Sequence, residues 1–233
     1  PLSKGVEVEW AAADAMLADA AKRLGDGAGT ALLIPCLPSP TFQRLVAGLR
    51  TKAPKVSVYR HDLTDSPNAL AGAAMVGIPG TTSSHDLEKA RIIVSFDSDF
   101  MSTDGDSVSN ARGYALGRKI DDIKSCNRLY VAEARHSLTG ATADHRLRIQ
   151  SSQIVTALRA LASALGNHGV SVPGASSVKA PGTSAKWVNA VAEDLAASKG
   201  TSVVIVGERQ PAYAHALATA INAALNNVGK TVT

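Results

Sequence analysis

Apolar positions along this chain recur with two periods, and each switch between them marks the end of one element and the start of the next. Over Glu9–Leu24, Trp10, Ala13, Leu17, Ala20 and Leu24 recur at helical spacing, and Gly25-Asp26-Gly27 closes the pattern. The apolar run Thr30–Ile34 predicts a buried strand, followed by a turn at Pro35–Pro38. Ser39 then Pro40 form an N-cap and first-turn pair for a helix running to Leu49, and Val56–Tyr59 predicts a second strand. Arg60–Ser84 is less regular, with a helical piece at Ala69–Met75 and a break at Gly77–Gly80. Asp86–Glu88 is expected as a short helix capped by Ser84.

The centre of the chain is Arg91–Ile149. Ile92–Phe96 is a short apolar run that stops at Asp97-Ser98-Asp99, a helical segment covers Ser107–Leu116, and a second run, Leu129–Ala132, stops at Glu133. Strand, polar loop, helix, strand is a βαβ unit, and its strand ends are where an open α/β sheet binds ligands. Helices follow at Ile154–Leu165, Trp187–Ala197 and Ala212–Leu225, with a strand at Val203–Val206. This alternation predicts an α/β fold with a doubly wound, mostly parallel sheet and helices on both faces. Three regions are expected: an α/β lobe over 1–165, a Gly/Ser/Pro-rich linker or surface loop over 166–183, and a helix–strand–helix segment over 184–233. The last completes the same or an adjacent layer.

Composition narrows the classes. The chain has 233 residues, 45% hydrophobic and only 4% aromatic, and its many alanines and valines suit helices packed on a parallel sheet. The net charge of +4 is spread over separated residues such as Arg44, Arg91, Arg118 and Arg146, with no basic block and no interleaved aromatics, which argues against nucleic acid. No apolar run approaches the roughly 20 residues of a membrane span. The chain opens at Pro1 without a signal-peptide pattern and closes at Thr233, as a processed protein or a piece of a longer one does. Cys36 and Cys126 are far apart, so the chain by itself cannot hold an iron–sulfur cluster, and packed or partly exposed thiols are expected rather than a bridge.

Motif chemistry is sparse. The six histidines form neither HxH nor HExxH spacing, and GxSxG, the P-loop and GxGxxG are all missing. Asp97 and Asp99 read either as ribose or metal contacts or, preferably, as carboxylates that cap local amides or face water. Glu133 ends its strand as a ribose-binding acid does, with Arg135 as a candidate ion partner. Gly207 reads as a tight-turn glycine.

The segment Glu133–Asp144, EARHSLTGATAD, resembles a signature of the molybdopterin oxidoreductases, an acid at a strand end, proline, arginine, threonines, then alanine–aspartate, with Ala134 in place of the proline. Asn222, Leu225, Asn227, Gly229 and Lys230 resemble that family's closing segment. RLYVAEARHSLTGATADHRL, SPTF at Ser39–Phe42 and VGERQPAYAHALATAINAALNNVGKTV are similar to the iron–sulfur B subunit of alternative complex III. Two departures accompany the likeness. Gln150-Ser151-Ser152-Gln153 stands where cofactor-binding relatives have Pro-Gly-Thr-Asp, and Ser95–Asp99 replaces a Gly-x-Asn loop with bulk and negative charge.

The resemblance implies a molybdopterin-oxidoreductase-like domain without catalysis or cofactor of its own. Such a domain is a structural and docking element among the other subunits of a membrane-bound, quinol-oxidising respiratory complex, on the periplasmic side of a bacterial inner membrane and soluble as this fragment. Iron–sulfur clusters would lie only in regions outside this chain, and Gln210, Tyr213 and His215 would be interface or surface groups. The alternative is a domain of an active oxidoreductase that binds a molybdopterin guanine dinucleotide. Its candidate contacts are Glu133, Arg135 and Ser137 near the guanine or ribose, and Gly207 and Arg209 near the phosphates. A stand-alone binding module for an unrelated ligand is the third reading.

Overall fold

The computed structural model describes residues 1–35, 37, 39–61, 67–119, 126–182 and 184–233, so Cys36, Asp62 and Asp65 lie outside the described residues. The chain divides into two compact units, Pro1–Asp65 and Ser66–Thr233.

In the first unit, β1 (Leu2–Ser3) and β2 (Val6–Glu7) pair antiparallel across Lys4-Gly5, both at positive φ. Helix α1 (Trp10–Leu24) forms where its period predicts, yet none of its residues is buried in this unit and Trp10 is 72% exposed. Strands β3 (Ala31–Ile34) and β4 (Ser57–Arg60) pair parallel around α2 (Pro40–Lys52), whose cap Ser39 accepts from the Phe42 amide at 3.3 Å. The expected burial of Thr30–Ile34 is corrected: only Ile34 is buried, because a two-stranded sheet covered by one helix leaves Leu33 in the open.

The second unit carries the main core. Its elements are α3 (Pro67–Met75), β5 (Ile92–Phe96), α4 (Ser107–Leu116), β6 (Arg128–Glu133), the single turn α5 (Leu138–Ala141), β7 (His145–Arg148), α6 (Ile154–Gly166), α7 (Ala185–Ala197), β8 (Ser202–Val206) and α8 (Ala212–Ala224). The sheet runs β7-β6-β5-β8, with every pair parallel. Alternate residues of β5 show why its run is apolar without interruption. Val94 and Phe96 face α6, α7 and α8 through Leu158, Leu161, Leu195 and Ile221, whereas Ile93 faces Leu87, Phe100 and Tyr114. Helices thus cover both faces, and the α/β fold is doubly wound as expected.

Helix α3 lies directly on α8. A Cβ at Gly72 would come within 2.6 Å of the Ala212 carbonyl, so only glycine permits this approach. The described part of the Gly/Ser/Pro-rich segment, 166–182, runs within the second unit, with Val170 and Val172 in its core. One local expectation is corrected. Asp86–Glu88 is not a helix, because Ser84 and Asp86 instead give their amides to the Thr233 and Thr231 carbonyls at 2.7 and 2.9 Å. The edge strand β7 escaped the period rule because HRLR is short and charged.

Candidate functional site

The strand order reverses at β5: the chain moves outward through β6 and β7, then returns to place β8 on the other side. The carboxyl ends of β5 and β8 therefore flank the topological switch point, where α/β sheets place a ligand crevice. Here the chain's own groups fill that place. Asp97 sits at φ 58°, a left-handed conformation that turns its carbonyl toward β8. A Cβ on Gly207 would fall 2.0 Å from that carbonyl oxygen. Gln210 reaches across and donates Nε2–H to Asp97 Oδ2 at 2.8 Å.

Behind this contact the loop after β5 satisfies itself. Ser95 Oγ donates to the Ser98 carbonyl at 2.8 Å. Asp99 Oδ1 accepts from both the amide and the hydroxyl of Thr139, at 3.0 and 2.9 Å, and Asp104 Oδ2 accepts from the Asp99 amide at 3.2 Å. Asp99 is thus the amide-capping carboxylate preferred from sequence, and it joins the loop after β5 to the loop after β6.

Glu133, at the end of β6, is buried and fully partnered. Ser137 donates its hydroxyl to Oε2 at 2.5 Å and its amide to Oε1 at 3.3 Å, and Arg146 Nε donates to Oε1 at 2.5 Å. The ion partner is therefore Arg146 from β7, and Arg135 is exposed on the loop. Ser137 also accepts the Gly140 amide at 2.9 Å as the cap of α5, and a Cβ at Gly140 would lie 1.9 Å from Glu133 Oε1. Of the five candidate contacts, Glu133 and Ser137 share one hydrogen-bonded cluster, Gly207 packs on Asp97, and Arg135 and Arg209 stand exposed. A cleft of about 430 Å³ opens beside the first cluster, lined by Ala134, Arg148, Gln150 and Gln153, but Glu133 does not line it. The carboxylate oxygens that would hold a guanine or ribose are already engaged by Ser137 and Arg146, and a pyrophosphate at the switch point would meet Asp97, Asp99 and Asp104. These residues do not fit a molybdopterin guanine dinucleotide.

The closing motif proves to be a structural network. Asn222 on α8 receives the Val204 amide at 3.0 Å and donates to the Val204 carbonyl at 2.8 Å, bracketing the outer edge of β8 as another strand would. Asn227 donates to Asn222 at 3.1 Å and accepts from the Gly200 amide and the Ser202 hydroxyl. Asp144 of the other motif likewise accepts from the Leu129 amide at 2.7 Å and from Arg118.

Beside β8 a larger cavity of about 600 Å³ has Val204, Val206 and Phe100 in its wall, with His85, His215 and Glu208 among its polar lining. No spacing rule joins these residues; α3, α8 and the C-terminal segment bring them together. Gln210 and His215, expected at an interface or surface, are instead a buried bridge to Asp97 and a half-buried cavity group. Burial pushes His85 down to about 4 and lowers His215 as well. Cys126 is a half-buried free thiol. Among the described residues no cluster of three or more His, Cys, Asp or Glu side chains is placed to hold a metal ion, and no helix is long and apolar enough to cross a membrane.

No protein family matches the sequence, and no curated protein is significantly similar to it. Among solved structures, acetylene hydratase from Pelobacter acetylenicus matches with a TM-score of 0.59 over 97% of this chain, at 12% identity. The match covers 34% of that enzyme, so this chain spans about a third of its length. The likeness is one of fold alone: this chain shares the α/β fold of the matched part of that enzyme.

Proposed function

We propose that this chain is a non-catalytic domain of molybdopterin-oxidoreductase type, retained as a structural and docking element in a quinol-oxidising respiratory complex. It carries no cofactor of its own, works on the periplasmic side, and leaves electron transfer to clusters and haems in other parts of the complex. One observation supports the absence of catalysis: the chain's own groups bridge the ends of β5 and β8, with Gly207 packed on the Asp97 carbonyl and Gln210 bonded to its carboxylate. A nucleotide placed there would have to break that bond and approach several carboxylates. The respiratory role is supported by the sequence likeness around Glu133–Asp144 and Asn222–Lys230.

The test is elemental mass spectrometry of the purified native protein containing this chain, together with pterin fluorescence after oxidation. Sub-stoichiometric molybdenum and tungsten, no pterin, and co-purification with membrane-bound quinol-oxidising subunits are expected. Stoichiometric metal with pterin assigned to this domain would replace the proposal with the cofactor-binding reading. A chain that purifies alone from membranes would remove the docking role.

A further inference from the structure

The cavity beside β8 reaches the loops after β5 and β8 through Ser98, Asp104 and Glu208, and it plays no part in the function proposed above. Its volume of about 600 Å³ falls within the roughly 300–1,000 Å³ of small-molecule sites. One wall is apolar, built from Val204, Val206, Phe100, Ala73, Ala218 and Val232. Among the described lining residues the charge has a single sign: Asp104, Asp106 and Glu208 are present without lysine or arginine, although the whole chain carries +4.

Two imidazoles complete the wall. Among the described residues, His215 Nε2 is buried without a hydrogen-bond partner and His85 makes no side-chain hydrogen bond. Burial is the largest influence on His215 and outweighs the backbone hydrogen bonds at Gln210 and Glu208 and the charges of Glu208 and Asp104, so the ring stays neutral and offers a lone pair. A buried acceptor without a donor is costly, and a ligand N–H would satisfy it. Anions are opposed by the three carboxylates. A neutral apolar molecule leaves the acceptor unanswered.

We propose that this cavity binds a small organic cation, a primary or secondary ammonium on a short apolar body. Its N–H donates to His215 Nε2, its charge faces Glu208, Asp104 and Asp106, and its carbon chain lies against Val204, Val206 and Phe100. Glu208 keeps its bond from the Gly105 amide at 2.8 Å, so it supplies charge from a fixed position.

The experiment titrates the full chain with n-pentylammonium, n-pentanol and pentanoate, followed by amide and histidine NMR shifts. Saturable shifts confined to the cavity lining are expected for pentylammonium, with pentanol and pentanoate at least about tenfold weaker. The double variant Glu208→Gln, Asp106→Asn preserves the acceptor for Gly105 and an N-cap for α4, and it should weaken pentylammonium by about tenfold with melting unchanged. Absence of saturable shifts, equal binding of the three probes, or a folded double variant that binds as tightly as the original would overturn the proposal. Should the double variant melt early, the three-probe comparison on the original chain decides alone.

Discussion

Asn222→Ala removes the group that closes the outer edge of β8, and its cost can be worked from the bonds. Three hydrogen bonds disappear: from the Val204 amide at 3.0 Å, to the Val204 carbonyl at 2.8 Å, and from Asn227 at 3.1 Å. Asn222 is 3% exposed, so each abandoned partner is stranded in the interior. A buried group left unsatisfied costs about 1–3 kcal/mol, and water entering from the adjoining cavity moves the value to the lower half of that range. Alanine returns about 0.6 kcal/mol through its better helix propensity in α8. The net loss is roughly 3–5 kcal/mol, a fall of roughly 6–20 °C in melting temperature for a domain of this size. Urea unfolding of the original chain and the variant, followed by circular dichroism, measures it. A loss under about 1 kcal/mol with unchanged slope would mean that the amide does not close this edge, and the network reading of the motif would fall. Asn222→Asp sharpens the test: it keeps the acceptor for the Val204 amide but sets a carboxylate against the Val204 carbonyl, and it should unfold no later than the alanine variant.

Other expectations follow from the same geometry. Gly207→Ala places a Cβ 2.0 Å from the Asp97 carbonyl, where backbone meets backbone, so a loss above about 2 kcal/mol in chemical denaturation is expected and an unchanged midpoint would contradict the close packing. Arg146→Met strands the Glu133 carboxylate and should cost about 3–5 kcal/mol, while adding Glu133→Gln should recover a large part of it; a double-mutant cycle that shows no coupling refutes the pair. His85, held near 4 against an ordinary value of 6.5, binds its proton more readily when unfolded. Stability from this group is therefore complete above about pH 6.5 and declines as pH falls toward about 4; His85→Gln should flatten the melting-temperature profile in that window, and an equally steep profile would refute it.

Much of this architecture is legible from local pattern. The uninterrupted apolar runs Ile92–Phe96 and Val203–Val206 are buried on both faces, and the 3.6-residue period of Ile154–Leu165 puts Leu158, Leu161 and Leu165 in the core. Ser39-Pro40 starts α2 as capping chemistry requires. Elements whose state depends on distant partners were not legible. β7 is a strand because Tyr130–Glu133 offers it a ladder, and Asp86 is extended because the C-terminal segment reaches it.

The amino-acid order alone thus determines the alternation of strands and helices, the parallel sheet and the prominence of the Glu133–Asp144 and Asn222–Lys230 segments, since period, capping and chain-connection rules act within a few residues. Tertiary structure alone decides what those segments do. It gives Glu133 to Arg146, Asn222 to the edge of β8 and Asp97 to Gln210, and it gathers His85, His215 and Glu208 around one cavity. Hydrogen-bond partners and desolvation depend on which surfaces meet when layers pack, and residues from β5 to α8 meet only after the sheet has wound in both directions.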